Sequence, residues 1–327
     1  MSVPAPTVTI LAEAGRGVGL GHLRRCQALA TALTAAGAAV EVYVAGHGWE
    51  PAPATALDWL GDAATLRGAL RTRRSDAIVV DSYRADAALL RDLGTQTRCV
   101  VVVDDVADRA LPVSIVVNGG WHAPRLTYRT LPETLRMLGS QYALLDPVYE
   151  EPARRAAGSR VRRVLVTLGG DAGAESLVGA IEAVKGALPT VAVDVAVGAW
   201  TAAGLAVDGV AVHRGVASLR PLIAAADLVV SGGGMTLYEC LAAGAPVVAQ
   251  VMADNQRPNV EEMARAGLIV AAEPSLPEAV ARVAKDLGLR RKLATLGREA
   301  VDGRGAGRVA VAIIRACRTV SLAEGAR

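Results

Sequence analysis

The chain has 327 residues and a formal net charge of +3, a length that suits two domains of roughly 150 residues each. The near balance of charge, without any run of five basic residues, argues against a nucleic-acid-binding protein, which needs clustered lysine and arginine. The four cysteines, Cys26, Cys99, Cys240 and Cys317, form no CxxC pair, which argues against a zinc site and is typical of reduced thiols in the cytosol.

Hydropathy gives two further exclusions. Residues 1–7 have neither the basic flank nor the apolar core of a signal peptide. No stretch of about 18 uncharged apolar residues occurs, so no transmembrane helix is expected. We therefore interpret the sequence as that of a soluble cytoplasmic protein without a membrane span.

Short aliphatic strands alternate with longer amphipathic helices along the whole chain. The predicted strands are Val8–Ala12, Val40–Val44, Ala77–Asp81, Cys99–Asp104, Ser114–Asn118, Val164–Thr167, Ala192–Ala196, Val210–His213, Leu228–Ser231 and Val247–Gln250. Predicted helices include His22–Ala36, Ala85–Leu93 and a terminal helix, Gly307–Val320. This alternation predicts right-handed βαβ units, and hence an α/β fold with doubly wound parallel sheets.

A charged segment containing proline and glycine, EEPARRAAGSR, interrupts the alternation. We interpret it as a linker between an N-terminal Rossmann-like domain (1–150) and a C-terminal one (161–306), with 307–327 as a helix that can pack back on the first domain. Ligands bind beyond the carboxyl ends of the strands in such sheets, and most of the unusual residue clusters fall there. The sequence therefore predicts an enzyme with a ligand cleft.

Four glycines, Gly15, Gly17, Gly19 and Gly21, follow the first strand and allow a ligand to approach the backbone closely. His22 comes directly after them, near free backbone N–H groups and the positive end of a helix dipole. Because that dipole disfavours an imidazolium, His22 is a candidate general base. The alternative is that His22 only neighbours the helix N-cap and has no chemical role.

Glycine spacing of this kind also occurs in dinucleotide-binding proteins. Those need an acidic residue at the end of the second strand, but here that strand ends Val44-Ala45-Gly46. An NAD-dependent dehydrogenase is therefore disfavoured, and no cofactor is expected.

A second glycine loop, Ser231–Gly234, lies between a strand and the predicted helix Thr236–Ala243. Backbone N–H groups that converge at such a helix start form a site for a diphosphate. Glu239, expected on the first turn of this helix, can accept hydrogen bonds from ribose hydroxyls, with a solvated carboxylate as the alternative. In the next loop, Asn255 and Gln256 can reach sugar hydroxyl or acetamido groups, and Asn255 can also cap a following helix.

Lesser candidates lie at other strand ends. Asp104 and Asp105 are adjacent rather than alternate, so capping or supporting roles are expected in place of a metal-binding DxD motif. Asn118 precedes a loop in which Trp121 and His122 can contact a substrate. The loop Gly169-Gly170-Asp171 opens the first helix of the second half, and His47 and His213 are expected at the surface or between domains.

The segment GVGLGHLRRCQALA resembles the G-x-G-H-x-x-R-C-x-x-L-A signature of the nucleotide-sugar hydrolases of pseudaminic acid biosynthesis and of their spore-coat polysaccharide relatives. The resemblance continues, in order, through VVDSY (79–83), VVVDDVADR (101–109), VVNGG (116–120), QYALLDP (141–147), VLVTLGGDA (164–172), SGGGMTLYE (231–239) and DNQ (254–256). It covers roughly residues 8–270. It implies a GT-B fold, with two Rossmann-like domains whose parallel sheets face a central cleft.

The resemblance also implies a reaction and a set of roles. The family cleaves the anomeric C1–O bond of a UDP-linked amino- or deoxy-sugar, with water as nucleophile, UDP as leaving group and no metal. The catalytic residues would be His22, Asp81, Tyr83 and Asn255, the last three on the sugar side, and Asn118 and Gln256 would bind the sugar. The nucleotide diphosphate would be held by Gly21, Gly169, Ser231, Gly232, Gly233, Gly234, Met235, Thr236 and Glu239.

Two departures from the family pattern keep other functions open. The family usually carries an arginine and an aspartate after the first strand, where this chain has Glu13 and Ala14, and its LLR segment is replaced here by Leu144-Leu145-Asp146. A second hypothesis is therefore a glycosyltransferase that moves the sugar from a nucleotide donor to a small-molecule acceptor. A third is a nucleotide-sugar sensor or inactive binding subunit.

Overall fold

The computed structural model describes residues 4–15, 17–47, 54–72, 74–151, 158–170, 172–198 and 206–324. The chain divides into two compact units, one of residues 1–147 with 304–327 and one of residues 148–303. Each unit contains a parallel β-sheet with helices, so the α/β class predicted from strand–helix alternation is confirmed. The centre of the predicted linker, residues 152–157, lies outside the described residues.

The first unit contains a seven-stranded parallel sheet. In chain order, the strands of this unit are β1 (Thr7–Glu13), β2 (Ala39–Ala45), β3 (Thr55–Ala56), β4 (Ala77–Asp81), β5 (Cys99–Val103), β6 (Ala110–Leu111), β7 (Ile115–Asn118), β8 (Arg129–Thr130) and β9 (Leu135–Leu138). The order across the large sheet is β3-β2-β1-β4-β5-β7-β9, and β6 pairs separately with β8. Ala12 on β1 is in register with Asp81 on β4, so the carboxyl ends of these two strands lie side by side.

Both faces of this sheet are covered, which explains why its central strands are aliphatic along their whole length. Three helices of this unit are α1 (Gly21–Ala35), α2 (Ala63–Thr72) and α3 (Ala87–Gln96). Ile10 on β1 packs in the core that includes α1, whereas the next residue, Leu11, packs in the core on the α2 and α3 side. Alternate side chains thus enter opposite cores, as the strand period of two residues requires.

The second unit contains a six-stranded parallel sheet. Its strands are β10 (Arg163–Thr167), β11 (Ala192–Val197), β12 (Val210–Arg214), β13 (Leu228–Gly232), β14 (Val247–Gln250) and β15 (Val270–Ala271), in the order β12-β11-β10-β13-β14-β15. Its helices are α4 (Ala174–Ala187), α5 (Arg220–Ala225), α6 (Met235–Ala242), α7 (Arg257–Arg265), α8 (Leu276–Lys285) and α9 (Leu287–Ala300). Gly232 is in register with Gln250, which brings the second glycine loop beside the carboxyl end of β14.

The chain returns to the first unit through α10 (Gly305–Glu324), which contacts α1. Val309 and Ile313 on this helix are fully buried in the same core as Ile10. Gly305 lies so close to the backbone of Ala143 that a Cβ would stand 2.2 Å from the Ala143 carbonyl oxygen. Only glycine permits this approach at the start of the helix.

All ten predicted strands are present, and each observed end lies within one residue of its predicted position. The sequence did not predict α2, α5, α8 and α9 or the short strands β3, β6, β8, β9 and β15. Most of those strands have two residues, too few to show either a hydrophobic run or an alternating pattern.

Candidate functional site

The first glycine loop folds back on itself before α1 begins. Gly15 and Gly19 pair as an isolated antiparallel bridge, and the Gly19 amide donates to the Gly15 carbonyl at 2.8 Å. Gly17 and Gly19 have φ values of +83° and +82°, a region that favours glycine. Gly21 then opens α1 with its hypothetical Cβ in open space. The apolar residue Leu20 occupies the N-cap, so its side chain cannot satisfy the amides of the first turn.

His22, the second residue of α1, is 6% exposed and meets Asp81 at the carboxyl end of β4. The imidazole Nδ1 lies 2.5 Å from Asp81 Oδ1. Because an ionised carboxylate only accepts hydrogen bonds, Nδ1 carries the proton in this contact, and in the neutral imidazole Nε2 then keeps a free lone pair. This is the arrangement by which a carboxylate fixes the tautomer and orientation of a general base.

The resemblance implied that Asp81 lies on the sugar side. Asp81 is instead fully buried, and its carboxylate contacts His22 at Nδ1. Its oxygens also accept from Arg25 Nε and Nη2, both at 2.6 Å, and from the Cys26 thiol. Burial raises the pKa of Asp81, but the Arg25 guanidinium and the His22 ring outweigh it and hold this pKa well below its ordinary value. Asp81 is therefore ionised at every working pH.

Arg25 is a residue that sequence reasoning did not single out. It lies one turn after His22 on α1, is 6% exposed, and reaches a second carboxylate, Asp105 Oδ2, at 2.5 Å from Nη1. Its Nη2 also approaches His22 Nδ1 at 3.1 Å, a contact without a hydrogen bond if Nδ1 is protonated. The R-C pair of the motif at Arg25 and Cys26 was the available signal, because both side chains converge on Asp81.

Tyr83 lies beside His22 and is 37% exposed. Its ring meets the imidazole edge to face, with centroids 4.7 Å apart, and its hydroxyl donates to Asp105 Oδ2 at 2.9 Å. Burial and the nearby Asp105 raise the pKa of Tyr83, so the phenol stays protonated. The structure thus brings the predicted residues His22, Asp81 and Tyr83 together.

Two further acidic residues of this edge are held by arginines. Glu13, at the end of β1, is 4% exposed and accepts from Ser82 Oγ and from Arg84 Nε. Asp104 is fully buried and accepts from the amides of the following turn and from Arg109 Nη1 at 2.7 Å. The capping role predicted for Asp104 is confirmed.

Asn118 is a correction to the predicted sugar contacts. It is fully buried; its Nδ2 donates to the Tyr128 hydroxyl at 2.8 Å, and its Oδ1 accepts from the Gly120 amide at 2.7 Å. Both ends of the amide thus stabilise the loop after β7, and no atom of the side chain faces solvent. Trp121 and His122 follow on this loop, and His122 is itself buried.

In the second unit, β13 continues one residue further than predicted, to Gly232, and this changes the role of Ser231. The Ser231 side chain is fully buried and its hydroxyl donates to the Gly232 carbonyl at 3.0 Å. Ser231 therefore lies within the strand and not in the predicted turn, and its buried side chain is not exposed to a ligand. Gly232 and Gly233 are buried as well, and the partly exposed part of the loop begins at Gly234.

Two of these glycines are required by close packing. A Cβ on Gly232 would lie 2.5 Å from the Leu168 carbonyl oxygen, and one on Gly233 would lie 2.6 Å from Val260 Cγ2. The Gly233 amide donates to Gln256 Oε1 at 3.1 Å, and that same oxygen accepts from the Met252 amide at 3.1 Å. Gln256 thus braces the loop, a role that its predicted sugar contact did not include.

Helix α6 begins at Met235, with Gly234 at its N-cap and no side chain capping it. The Leu237 amide donates to the Gly234 carbonyl at 3.1 Å, and no side chain caps the amides of Met235 and Thr236, the first two of the helix. A diphosphate site at this helix start remains a prediction. Helix α6 begins one residue earlier than predicted, so Glu239 is its fifth residue. Glu239 therefore lies on the second turn and not on the first turn, where it was expected. Met235 and Thr236 are the first two residues of the helix and are partly exposed.

The remaining predicted residues of this unit lie on neighbouring loops. Asn255 is exposed within a short 3-10 helix, Asp254–Gln256, and does not occupy the N-cap position of α7, which belongs to Gln256. Gly169 has a φ of +105° and open space at its Cβ position. Asp171 lies outside the described residues.

His213 belongs to a different cluster on the second sheet. Its Nε2 lies 2.7 Å from Asp194 Oδ1, and Arg163 Nη1 lies 2.5 Å from Asp194 Oδ2. His47 is exposed, as expected.

In the described part of the chain, no group of three or more His, Cys, Asp or Glu side chains is arranged to hold a metal ion. Across the same residues, no helix has both the length and the apolar character needed to cross a bilayer.

Comparison with protein-family models and with curated protein sequences gives no match. Solved structures are similar. MurG of Acinetobacter baumannii superposes with a TM-score of 0.59 at 15% identity, over 95% of this chain and 99% of that one. The glycosyltransferase SsfS6 of Streptomyces sp. SF2575, complexed with thymidine diphosphate, gives a TM-score of 0.60 at 17% identity, over 94% and 99%.

A plant structure is similar to the same degree. UGT89C1 of Arabidopsis thaliana, complexed with UDP-L-rhamnose, gives a TM-score of 0.63 at 15% identity, over 96% of this chain and 100% of that one. At these identities the likeness concerns the fold. The chain therefore has the α/β fold of the GT-B class, with two parallel-sheet units.

Proposed function

We propose that this chain is a glycosyltransferase that moves a sugar from a nucleotide-diphosphate donor to a hydroxyl group of a small-molecule acceptor. The observation that carries the proposal is the buried contact between His22 and Asp81. It leaves Nε2 as an acceptor for a proton, and a positioned general base contributes about 10²- to 10⁴-fold to a rate. The similar folds of glycosyltransferases, including one bound to thymidine diphosphate and one bound to UDP-L-rhamnose, support the same assignment.

The proposed transfer replaces one bond of the anomeric carbon with another. His22 Nε2 accepts the proton of the acceptor hydroxyl while the acceptor oxygen forms a bond to the anomeric carbon. The bond from that carbon to the diphosphate oxygen breaks, and the nucleoside diphosphate leaves with the bonding electrons. Within the second unit, the N-terminus of α6 has no side-chain cap, and its dipole favours the binding of an anion such as a diphosphate.

A second candidate is hydrolysis, in which water replaces the acceptor and the free sugar is released. The ordered motifs that begin at GVGLGHLRRCQALA favour it, because they resemble a hydrolase family. The same histidine would then deprotonate water. The two candidates therefore share a donor and a base, and differ only in the nucleophile.

Binding and turnover can be tested separately. Calorimetry with UDP, TDP, ADP and GDP identifies the nucleotide, and a screen of its sugar derivatives then measures nucleoside diphosphate release with and without pooled hydroxylated acceptors. Release that depends on an acceptor supports transfer, whereas release in its absence supports hydrolysis. Binding of none of the four nucleotides would overturn both candidates.

The variant His22→Asn tests the proposed base. We expect it to lower kcat by about 10²- to 10⁴-fold while the affinity for the nucleoside diphosphate stays within twofold, since the diphosphate is assigned to the other unit. The matched control is His213→Asn, which removes another histidine that contacts an aspartate but lies in the second sheet. Unchanged turnover in His22→Asn would rule out the proposed mechanism.

A further inference from the structure

Arg25 joins the two acidic residues that surround His22. Nε and Nη2 bind the two oxygens of Asp81, both at 2.6 Å, and Nη1 binds Asp105 at 2.5 Å. Asp105 in turn accepts from the Tyr83 hydroxyl. The Arg25 guanidinium thus connects the His22–Asp81 contact to Tyr83, whose partly exposed ring packs against the imidazole.

We infer that Arg25 is a positioning residue for His22 and Tyr83, and that its positive charge offsets the two carboxylates near the His22 imidazole. The inference rests on the proposed function of His22 as a base. Arg25 itself is 94% buried beneath the network, so it acts through Asp81 and Asp105 and not by contact with a substrate.

The positive charge of Arg25 affects the electrostatic environment of the His22 imidazole. His22 is faced by Asp81 from β4, Arg25 from α1 and Tyr83 from the loop after β4. Cys26 and Asp105 lie one contact further away, Cys26 against Asp81 and Asp105 against Arg25 and Tyr83. One guanidinium faces two carboxylates, so removing it would leave two uncompensated negative charges beside the imidazole. Negative charges within a few ångströms stabilise an imidazolium, which cannot accept a proton.

The shape of the Arg25 side chain explains how it positions His22. The planar guanidinium fixes both oxygens of Asp81 at once, and this leaves the carboxylate one orientation toward Nδ1. A lysine ammonium is a point charge and cannot bind Asp81 and Asp105 through the same fork. Arg25→Lys should therefore restore the charge but not the orientation.

The test combines activity with a measurement that needs no turnover. In Arg25→Met, we expect kcat to fall about 10- to 100-fold, as for loss of a group that orients a functional ligand. We expect the acidic limb of the kcat pH profile, and the midpoint of the His22 ring titration followed by NMR, to move about 1 pH unit higher. Arg25→Lys should show a smaller movement of the midpoint but a comparable fall in kcat.

Asp105→Asn should move the two pH midpoints in the opposite direction, and it keeps the inference testable if Arg25→Met does not fold. It removes one negative charge and keeps Arg25, so both midpoints should move to lower pH. The matched control is Arg24→Met, the exposed neighbour on α1, which should leave both midpoints unchanged. A loss of melting temperature in the Arg25 and Asp105 variants with unmoved midpoints would overturn the inference.

The two proposals fail in distinguishable ways. If His22→Asn keeps full turnover, the function of His22 is wrong, whatever the NMR titration shows. If His22→Asn is inactive but the Arg25 and Asp105 variants move the midpoints in the same direction, only the role of Arg25 is wrong.

Discussion

The side-chain oxygen of Gln256 lies 3.1 Å from the backbone nitrogen of Gly233 and accepts its hydrogen bond. The same oxygen accepts from the Met252 amide, so one side chain connects two loops at the carboxyl ends of β13 and β14. The amide nitrogen of Gln256 points toward Gly234, 3.6 Å from where its Cβ would be. It is thus directed at the N-terminus of α6, where a diphosphate is proposed to bind.

The variant Gln256→Glu tests this arrangement. The carboxylate can accept the same two hydrogen bonds, so the loop should persist, but it places a negative charge near the proposed diphosphate. We expect the affinity for the best-binding nucleoside diphosphate to fall at least about 10-fold, which is about 1.4 kcal/mol. The affinity for the corresponding nucleoside, measured by the same calorimetry, should change less than twofold. Equal losses for both ligands would indicate a damaged loop or a diphosphate bound elsewhere.

Gly233→Ala should disrupt the same loop through packing. Its Cβ would stand 2.6 Å from Val260 Cγ2 and 3.0 Å from Gln256 Cβ, so the backbone must move. Overpacking of this kind costs about 1–3 kcal/mol, and we expect nucleoside diphosphate affinity to fall by about 10- to 100-fold. The control is Gly179→Ala inside α4, where a Cβ meets nothing within 4 Å and should slightly raise the melting temperature. Unchanged affinity in Gly233→Ala would place the nucleotide away from this loop.

Asp194 should make the stability of the protein depend on acidic pH. Burial raises its pKa, but hydrogen bonds from His213 and Arg163 outweigh this and hold the pKa below the ordinary value. The stabilisation is therefore complete above the unfolded pKa of about 3.9 and is lost as the pH falls through the lower folded pKa. In urea unfolding, Asp194→Asn should be less stable than the parent at pH 7, and the difference should shrink toward pH 3. Asp208→Asn, at an exposed carboxylate of the same unit, should show no such trend.

Arg290 should be essential to the stability of the second unit. It is 1% exposed, and its guanidinium donates to four carbonyl oxygens, those of Val283, Ala284, Gly158 and Ser159. Arg290→Met leaves these buried acceptors unpaired, and we expect a loss of about 3 kcal/mol in the free energy of unfolding by urea. Arg291→Met, at its exposed neighbour, should change stability by less than about 0.5 kcal/mol. A similar result for both variants would contradict this role for Arg290.

The limits of sequence reasoning are clearest at Asn118 and Ser231. Both stand at strand ends, where ligands bind in this class of fold, but both side chains are fully buried. Successive side chains of a strand point to opposite faces of the sheet, and the contacts that bury Asn118, with Tyr128 and Gly120, come from a loop that has no periodic pattern. The sequence predicted where the strands end and the loops begin, while side-chain direction within the loops could not be predicted.

What the sequence by itself determined was the alternation of strands and helices and the position of the two glycine loops. Aliphatic runs and glycines act locally, through burial and backbone freedom, so their pattern is visible in the sequence. Only the tertiary structure decided that Asp81, 56 residues from Arg25, is fully buried behind His22, and that Gln256 braces Gly233. The groups in each of these contacts belong to elements distant in sequence: the start of α1 and the end of β4 in one case, and the loops after β13 and β14 in the other. They meet only because the parallel sheet brings its carboxyl ends together.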